Sequence, residues 1–269
     1  MKTINIFFIS LLFCFVIISC KTKDVIPEET CRVSIIDRGN GNKHIYTYDA
    51  NGKVATMTRE FDGSGSGNIS KYLYSFTYDN AGLLSKSTWT LDGKPDGSET
   101  YTYTNGKISK VNYLYADGSK GVNNIKYDAA GMITEFTYDT GDPANDAIQY
   151  FGYDSNGIQV KHGYKGFDGT IFFESVAKPV GVAKSPEQLL VKNGLPHDVL
   201  TGYSWATTTG NVGTTFESFV PDAKGKLASV GTGKVTNIKV DTKGYISEDT
   251  FVDEANKSYT SRFSLINCN

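Results

Sequence analysis

The sequence predicts an all-β protein, an antiparallel meander of two-strand repeats whose sheet is curled or closed, with one short helix near residues 185–193. Three observations predict it. A nine-residue pattern with Asp and Gly at fixed places recurs along the chain, a second turn signal falls between most copies, and the stretches between turns alternate with period two.

The chain opens with material that is not part of this fold. Lys2 precedes an almost unbroken apolar run, residues 4–18 (INIFFISLLFCFVII), short for a membrane span and suited to the core of a signal peptide. It ends in Ile17, Ile18, Ser19 and Cys20, which resembles the lipobox read by the bacterial lipoprotein signal peptidase. The resemblance implies that residues 1–19 are removed and that Cys20 carries lipid on its sulfur and its amine. Two or more acyl chains are enough for stable anchoring. The expected location is therefore the cell envelope, on the outer membrane, with the periplasmic and surface faces both open. Residues 20–30 are polar, charged and contain Pro27, as a tether would be. No later stretch reaches eighteen apolar residues.

Charge narrows the partners. Of 27 Lys and Arg, only Lys2 leaves with the signal, against 29 Asp and Glu that all remain, and no basic stripe stands out. Nucleic acid is excluded as an expected partner, leaving the membrane and a glycan, peptide or lipid ligand.

The pattern reads aromatic or aliphatic, x, aromatic, Asp, x, x, Gly, x, aliphatic. It occurs at residues 46–54 (YTYDANGKV), 76–84 (FTYDNAGLL), 125–133 (IKYDAAGMI) and 151–159 (FGYDSNGIQ), with looser copies at 101–108 (YTYTNGKI), 219–227 (FVPDAKGKL) and 238–246 (IKVDTKGYI). Second turn signals lie at 61–67 (FDGSGSG), 92–97 (DGKPDG), 117–119 (DGS) and 168–170 (DGT). Two turns per repeat mean two strands per repeat. Tyr72, Tyr74, Phe76 and Tyr78 alternate with Leu73, Ser75 and Thr77, as in an antiparallel strand. Asp suits the turn because its carboxylate accepts from a backbone N–H two residues on, and Gly supplies positive φ. A calcium loop would need several carboxylates within a dozen residues, whereas these turns offer mostly one.

These units resemble the YD repeats of RHS proteins, teneurins and the cocoon subunits of some bacterial toxins, well over residues 46–160 and loosely over 219–246. The resemblance implies strand-turn-strand units of one long antiparallel sheet that can curl into a shell. This chain is far too short for a sealed cocoon and shows no RHS core segment.

The repeats are regular over residues 31–175 and lapse over 176–203. Within the lapse, 185–194 (SPEQLLVKNG) predicts a helix with Ser185 as N-cap, Pro186 at N1, Gln188 closing a capping box, and Gly194 with Pro196 as its stop. Its apolar face, Leu189, Leu190 and Val191, suits a connector that covers a sheet edge, or a lid. Strands resume at 203–207, 213–220, 226–230, 234–240, 245–252 and 258–266, the looser repeats of 204–269. All of 31–269 is read as one domain.

Cys14 leaves with the signal and Cys20 carries lipid, so Cys31 and Cys268 remain. They either pair or stay as buried thiols. A bond between them requires the two ends of the sheet to meet.

Catalytic signals are sparse. His44, His162 and His197 lie far apart, His197 beside Asp198 is read as a loop, and no GxSxG, HExxH or phosphate-binding loop is present, so no catalytic, metal or cofactor residues are assigned. Aromatic residues are the larger resource. Tyr72, Tyr74, Tyr101, Tyr103, Tyr113 and Tyr115 share one face, partly wet because a phenolic hydroxyl wants a partner. The preferred reading is ordinary core, since a single curled sheet must bury one face, and an exposed row would make them a candidate ligand platform. The expected function is a non-enzymatic envelope binding or scaffolding module. A carrier of lipid or another apolar ligand and a glycoside hydrolase-like enzyme are the alternatives.

Overall fold

The computed structural model describes residues 30–268, apart from 40, 63–64, 66, 143–145, 156–157, 180–182 and 196–212. The signal segment, Cys20, most of the tether, His197, Asp198 and the strand expected at 203–207 lie outside the described residues.

Among the described residues there are sixteen strands and one helix. They are β1 (Arg32–Asp37), β2 (Lys43–Tyr48), β3 (Val54–Phe61), β4 (Ser70–Tyr78), β5 (Leu84–Leu91), β6 (Lys94–Thr104), β7 (Lys107–Tyr115), β8 (Lys120–Tyr127), β9 (Ile133–Asp139), β10 (Ala147–Tyr153), β11 (Gln159–Lys165) and β12 (Ile171–Pro179). Helix α1 (Glu187–Lys192) follows, then β13 (Gly213–Pro221), β14 (Leu227–Val240), β15 (Ile246–Val252) and β16 (Ser258–Ile266). Each strand pairs antiparallel with its neighbours in sequence, and β1 pairs with β16, so the sheet is a closed barrel. Cys31 and Cys268 form a disulfide beside that seam, their Cα atoms 4.1 Å apart.

The repeat explains the closure. At the turn between β4 and β5, Asp79 Oδ1 accepts from the N–H of Ala81 and of Leu83 at 2.9 and 2.8 Å, and Gly82 takes φ 76°. The same double acceptance recurs at Asp49, Asp222 and Asp241. After the turn β5 carries one extra residue, because Tyr78 pairs with Leu84 whereas Thr77 pairs with Lys86. The hairpins that close on Tyr48, Tyr103, Tyr127 and Tyr153 have the same irregularity. A bulge raises local twist and bends its strand, so one bulge per repeat rolls the meander into a cylinder.

Each motif tyrosine then ties its repeat to the one before. The hydroxyl of Tyr48 donates to the carbonyl of Val33, Tyr78 to Val54, Tyr103 to Leu84, Tyr127 to Ile108 and Tyr153 to Ile133, at 2.6 to 2.9 Å. For Tyr78, Tyr103, Tyr127 and Tyr153 the acceptor is the aliphatic position of the preceding repeat, and for Tyr48 it is Val33 of β1. Tyr78→Phe is therefore expected to cost about 1 kcal/mol in urea unfolding, whereas Tyr72→Phe, outside this ladder, changes little.

Three boundaries differ from the sequence reading. Residues 226–230 and 234–240 belong to one long strand, β14, because Gly231 and Gly233 do not break it. They make room for the Glu254 side chain and the Phe251 ring, where a Cβ would collide. Asp96 and Gly97 are not a turn. The turn is Asp92–Gly93, with φ 48° and 80°, and Gly97 lies inside β6 under the Trp89 ring. The copy at 219–227 turns at the opposite end of the barrel from the other copies, since the β12–β13 connection shifts the phase by one strand.

Sixteen strands about 4.8 Å apart give a circumference of about 77 Å, wide enough to leave a lumen. The inward residues at the motif-turn end form a core of Val33, Ile36, Tyr46, Val54, Met57, Phe76 and Leu84 against Leu189, Leu190 and Leu195 of the α1 segment. A second core, with Val111, Ile125, Phe136 and Phe151, lines β7–β10.

The α1 segment is a strap across the motif-turn mouth. Lys184 bonds the backbone of Gly244 and Ile246 at one side, and the N–H of Val54 reaches the carbonyl of Asn193 at the other. The closed barrel offers no sheet edge for it to cover, so it closes an end. Its start also differs from expectation, since α1 begins at Glu187 with Pro186 at the cap position and no side-chain cap bond. The reciprocal contacts of Ser185 go to Glu187 rather than to Gln188. Gly194, at φ 95°, ends it as expected.

Candidate functional site

With one mouth strapped, the inner wall nearer the other mouth is the candidate site. On β3–β7 the inward positions carry a continuous run of rings. Phe61 stacks on Tyr72 (centroids 5.8 Å), Tyr72 meets Tyr74 (6.1 Å), Tyr74 meets Trp89 (6.0 Å), Trp89 meets Tyr115 edge-on (6.0 Å), and Tyr115 stacks on Tyr113 (6.4 Å). Arg59 lies over Phe61 at 4.9 Å. Tyr72 and Tyr74 are half-buried and Tyr115 is 43% exposed, so the wall stays within reach of solvent. Two carboxyl groups flank it. Asp96 accepts from Trp89 Nε1 at 2.9 Å, and Glu99 accepts from Ser87 at 2.7 Å and from the Tyr101 hydroxyl. Burial raises the Glu99 carboxyl above its ordinary range, and its two hydrogen bonds oppose that.

The six predicted tyrosines separate accordingly. Tyr72, Tyr74, Tyr113 and Tyr115 come together in the run. Tyr103 does not belong to it, because its hydroxyl is committed to the Leu84 carbonyl, and Tyr101 turns toward Glu99 and Ser87. All six face the lumen rather than the outside. The sequence reading missed Trp89, Phe61, Asp96 and Glu99. Trp89 shares the parity of Ser87 and Leu91, which was the available signal.

Deeper in the wall runs a band of hydrogen-bonded polar side chains. Tyr113 and Asn123 are 2.7 Å apart, Tyr138 donates to Gln149 at 3.0 Å, and Gln149 Nε2 meets His162 Nε2 at 2.7 Å. Asn123 and Gln149 are buried. Burial lowers His162 to about 4 from the ordinary 6.5. With the amide donating, the ring nitrogen must be unprotonated. The unfolded chain takes up the proton first, so the stability from this site is present above pH 6.5 and is lost as pH falls toward 4. His162→Gln, which keeps an acceptor, is expected to make the fall in Tm between those values shallower, leaving the part that comes from His44. His44 is lowered further, to about 3, by burial and then by Arg38 and Arg59. Among the described residues no group of three or more His, Cys, Asp or Glu side chains is placed to hold a metal ion.

The outer wall mixes charged side chains with exposed apolar ones such as Leu73, Leu114 and Phe172. The outward positions carry Lys126–Glu135–Lys165, Lys161–Glu174 and Lys239–Glu248–Arg262 ion pairs, which join neighbouring strands except Glu135–Lys165, which reaches from β9 across β10 to β11. A barrel that crosses a bilayer turns an apolar band outward, and these ion pairs place charge on that outward face.

No protein-family model matches the chain, and no curated protein matches it. Solved structures do. A TcdB2-TccC3 crystal structure aligns with 78% of this chain and 12% of its own at 13% identity, with a TM-score of 0.29. A porin-like protein from Bacteroides uniformis ATCC 8492 aligns over 87% of this chain and 97% of its own at 14% identity and a TM-score of 0.56, a likeness of fold: the chain is a sixteen-stranded closed antiparallel barrel similar to that of a porin-like protein.

Proposed function

We propose that this is a lipid-anchored protein of the bacterial outer membrane, held through Cys20, whose YD-like barrel binds a glycan or peptide in its lumen without transforming it. The observation that carries this reading is the run of rings from Phe61 to Tyr113 on the inner wall toward the unstrapped mouth. Rings supply apolar area at low entropic cost, while phenolic hydroxyls and the Asp96 and Glu99 carboxyls fix polar groups of a ligand. The charged outer wall supports a barrel held beside the membrane rather than within it. A greasy carrier is disfavoured by the polar band of Asn123, Gln149 and His162 across the same lumen.

Titrating soluble envelope glycans and peptides while following tryptophan fluorescence in a Trp205→Phe background, where Trp89 alone reports, tests this. A saturable change is expected, with Tyr115→Ala weakening binding about ten-fold, ~1.4 kcal/mol. Binding unaffected by that substitution, or a lipid retained in native mass spectrometry, would remove it. Asp96 and Glu99 on one wall are the specific observation that favours a glycoside hydrolase-like alternative. Product formed from a bound glycan and abolished by Glu99→Gln would replace the binding reading with that one.

A further inference from the structure

At the strapped mouth, a cleft of about 410 Å³ lies between the turns of β3–β9 and the C-terminal end of α1. Besides Lys192 of α1, Lys53 and Lys107 line it together with Leu83 and Val191, and the buried Leu84, Ile108, Ile133 and Leu195 form its floor. The two lysines are held in the same way. Lys53 lies over the Tyr78 ring at 5.2 Å and Lys107 over the Tyr127 ring at 5.0 Å, and neither makes an ion pair with a described carboxylate. The acids at this rim, Asp49, Asp79 and Asp128, commit Oδ1 to backbone N–H groups of their own turns. Leu83 and Val191 are 36% and 39% exposed, large apolar side chains left open beside the cations.

The position of this cleft selects its occupant. Thr30 and Cys31 enter the barrel at the same end, where Thr30 Oγ1 donates to the Asn267 carbonyl and Cys31 is bonded to Cys268. Cys20 is eleven residues before Cys31, a reach of at most about 38 Å when fully extended. Cations paired with exposed aliphatic side chains are the chemistry of a membrane interface, where ammonium groups meet phosphate and the apolar side chains meet the upper acyl region. We infer that the Lys53–Lys107 cleft seats the phosphate-bearing headgroup of an anionic phospholipid, so that the barrel stands on the bilayer with its strapped mouth down. The membrane as the source rests on the Cys20 anchor, and the cleft itself does not.

The chain from Lys21 onward contains every described strand and both cysteines of the disulfide, and it carries no lipid, so it separates the two ideas. It is expected to sediment with phosphatidylcholine vesicles containing phosphatidylglycerol and not with phosphatidylcholine alone. Lys53→Glu with Lys107→Glu should lower that partitioning by more than about 25-fold, since losing each lysine's charge alone costs about five-fold. Lys224→Glu with Lys226→Glu, at the opposite mouth, should leave it within two-fold. The pair Lys53→Ala and Lys107→Ala, checked by circular dichroism, guards against misfolding and should show an intermediate loss. No sedimentation with the anionic vesicles, equal loss from the opposite-mouth variant, or displacement by millimolar inorganic phosphate would each overturn the assignment, the last by making free phosphate the ligand. The anchor is read separately, from the mass of the N-terminal peptide of the membrane-extracted protein.

Discussion

Cys268→Ser is expected to lower the unfolding free energy by about 4 kcal/mol, with the loss concentrated at the seam between β1 and β16. The bond closes a loop with a sequence separation of 237, and the chain-entropy model assigns such a loop roughly 5 kcal/mol, a ceiling that strain and residual structure reduce. The seam is the one place where strand pairing depends on the two ends of the chain finding each other. It is short, running from Arg32 opposite Ile266 to Asp37 opposite Arg262, with an irregularity between Val33 and Ile35. Hydrogen exchange should therefore show β1 and β16 losing protection before β7–β10, whose pairing is local. Adding reductant to the unaltered protein should reproduce the effect. Uniform loss of protection around the barrel would show that the bond acts on the whole cylinder instead.

Glu187→Ala is expected to cost about 3 kcal/mol and to free the strap. The Glu187 carboxylate is 5% exposed and pairs with Arg38, whose guanidinium is 22% exposed and whose Nε has no other partner. Removing one member of such a pair leaves the other charge buried without compensation. Asp249 stands close enough to feel both groups, and burial raises its carboxyl, so it is the residue that would take over part of the charge of Arg38. The N–H of Val54 reports on the strap, because its acceptor is the Asn193 carbonyl. Its exchange should accelerate in Glu187→Ala by more than the global loss of stability explains. Arg38→Met with Glu187→Leu should recover most of the stability, since a matched apolar pair replaces the buried ions.

The repeat, the strands it builds and the curled or closed sheet were legible because their causes are local. An Asp that accepts from its own turn and a Gly at positive φ leave a mark within nine residues. What the alternation of Tyr72, Tyr74, Phe76 and Tyr78 does not carry is which side of the sheet is wet. The partner of the Tyr78 hydroxyl is the Val54 carbonyl, 24 residues earlier, and no pattern in β4 announces it. For the same reason Tyr103 looked like Tyr113, although only the latter belongs to the wall of rings. Gly231 and Gly233 read as breaks because a sequence shows a missing side chain but not the Glu254 and Phe251 groups that occupy its place. The helix was legible by composition, whereas its role as a strap depends on anchors at Gly244, Ile246 and Val54, far apart in the chain.

The tyrosine ladder also sets a rule for how this architecture can change size. From β1 to β11 each unit presents a carbonyl that the next unit's phenol completes, so the bonding at a junction is the same whichever two of these units meet there. Inserting or deleting a whole unit would widen or narrow the cylinder by two strands, keep every junction satisfied, and bring Cys31 and Cys268 back to the same seam. Removing half a unit would send the following turns to the opposite rim and leave a phenol without its acceptor. The girth of the barrel is thus counted in units of two strands, and lineages of such proteins are expected to differ in length by multiples of about 25 residues rather than continuously.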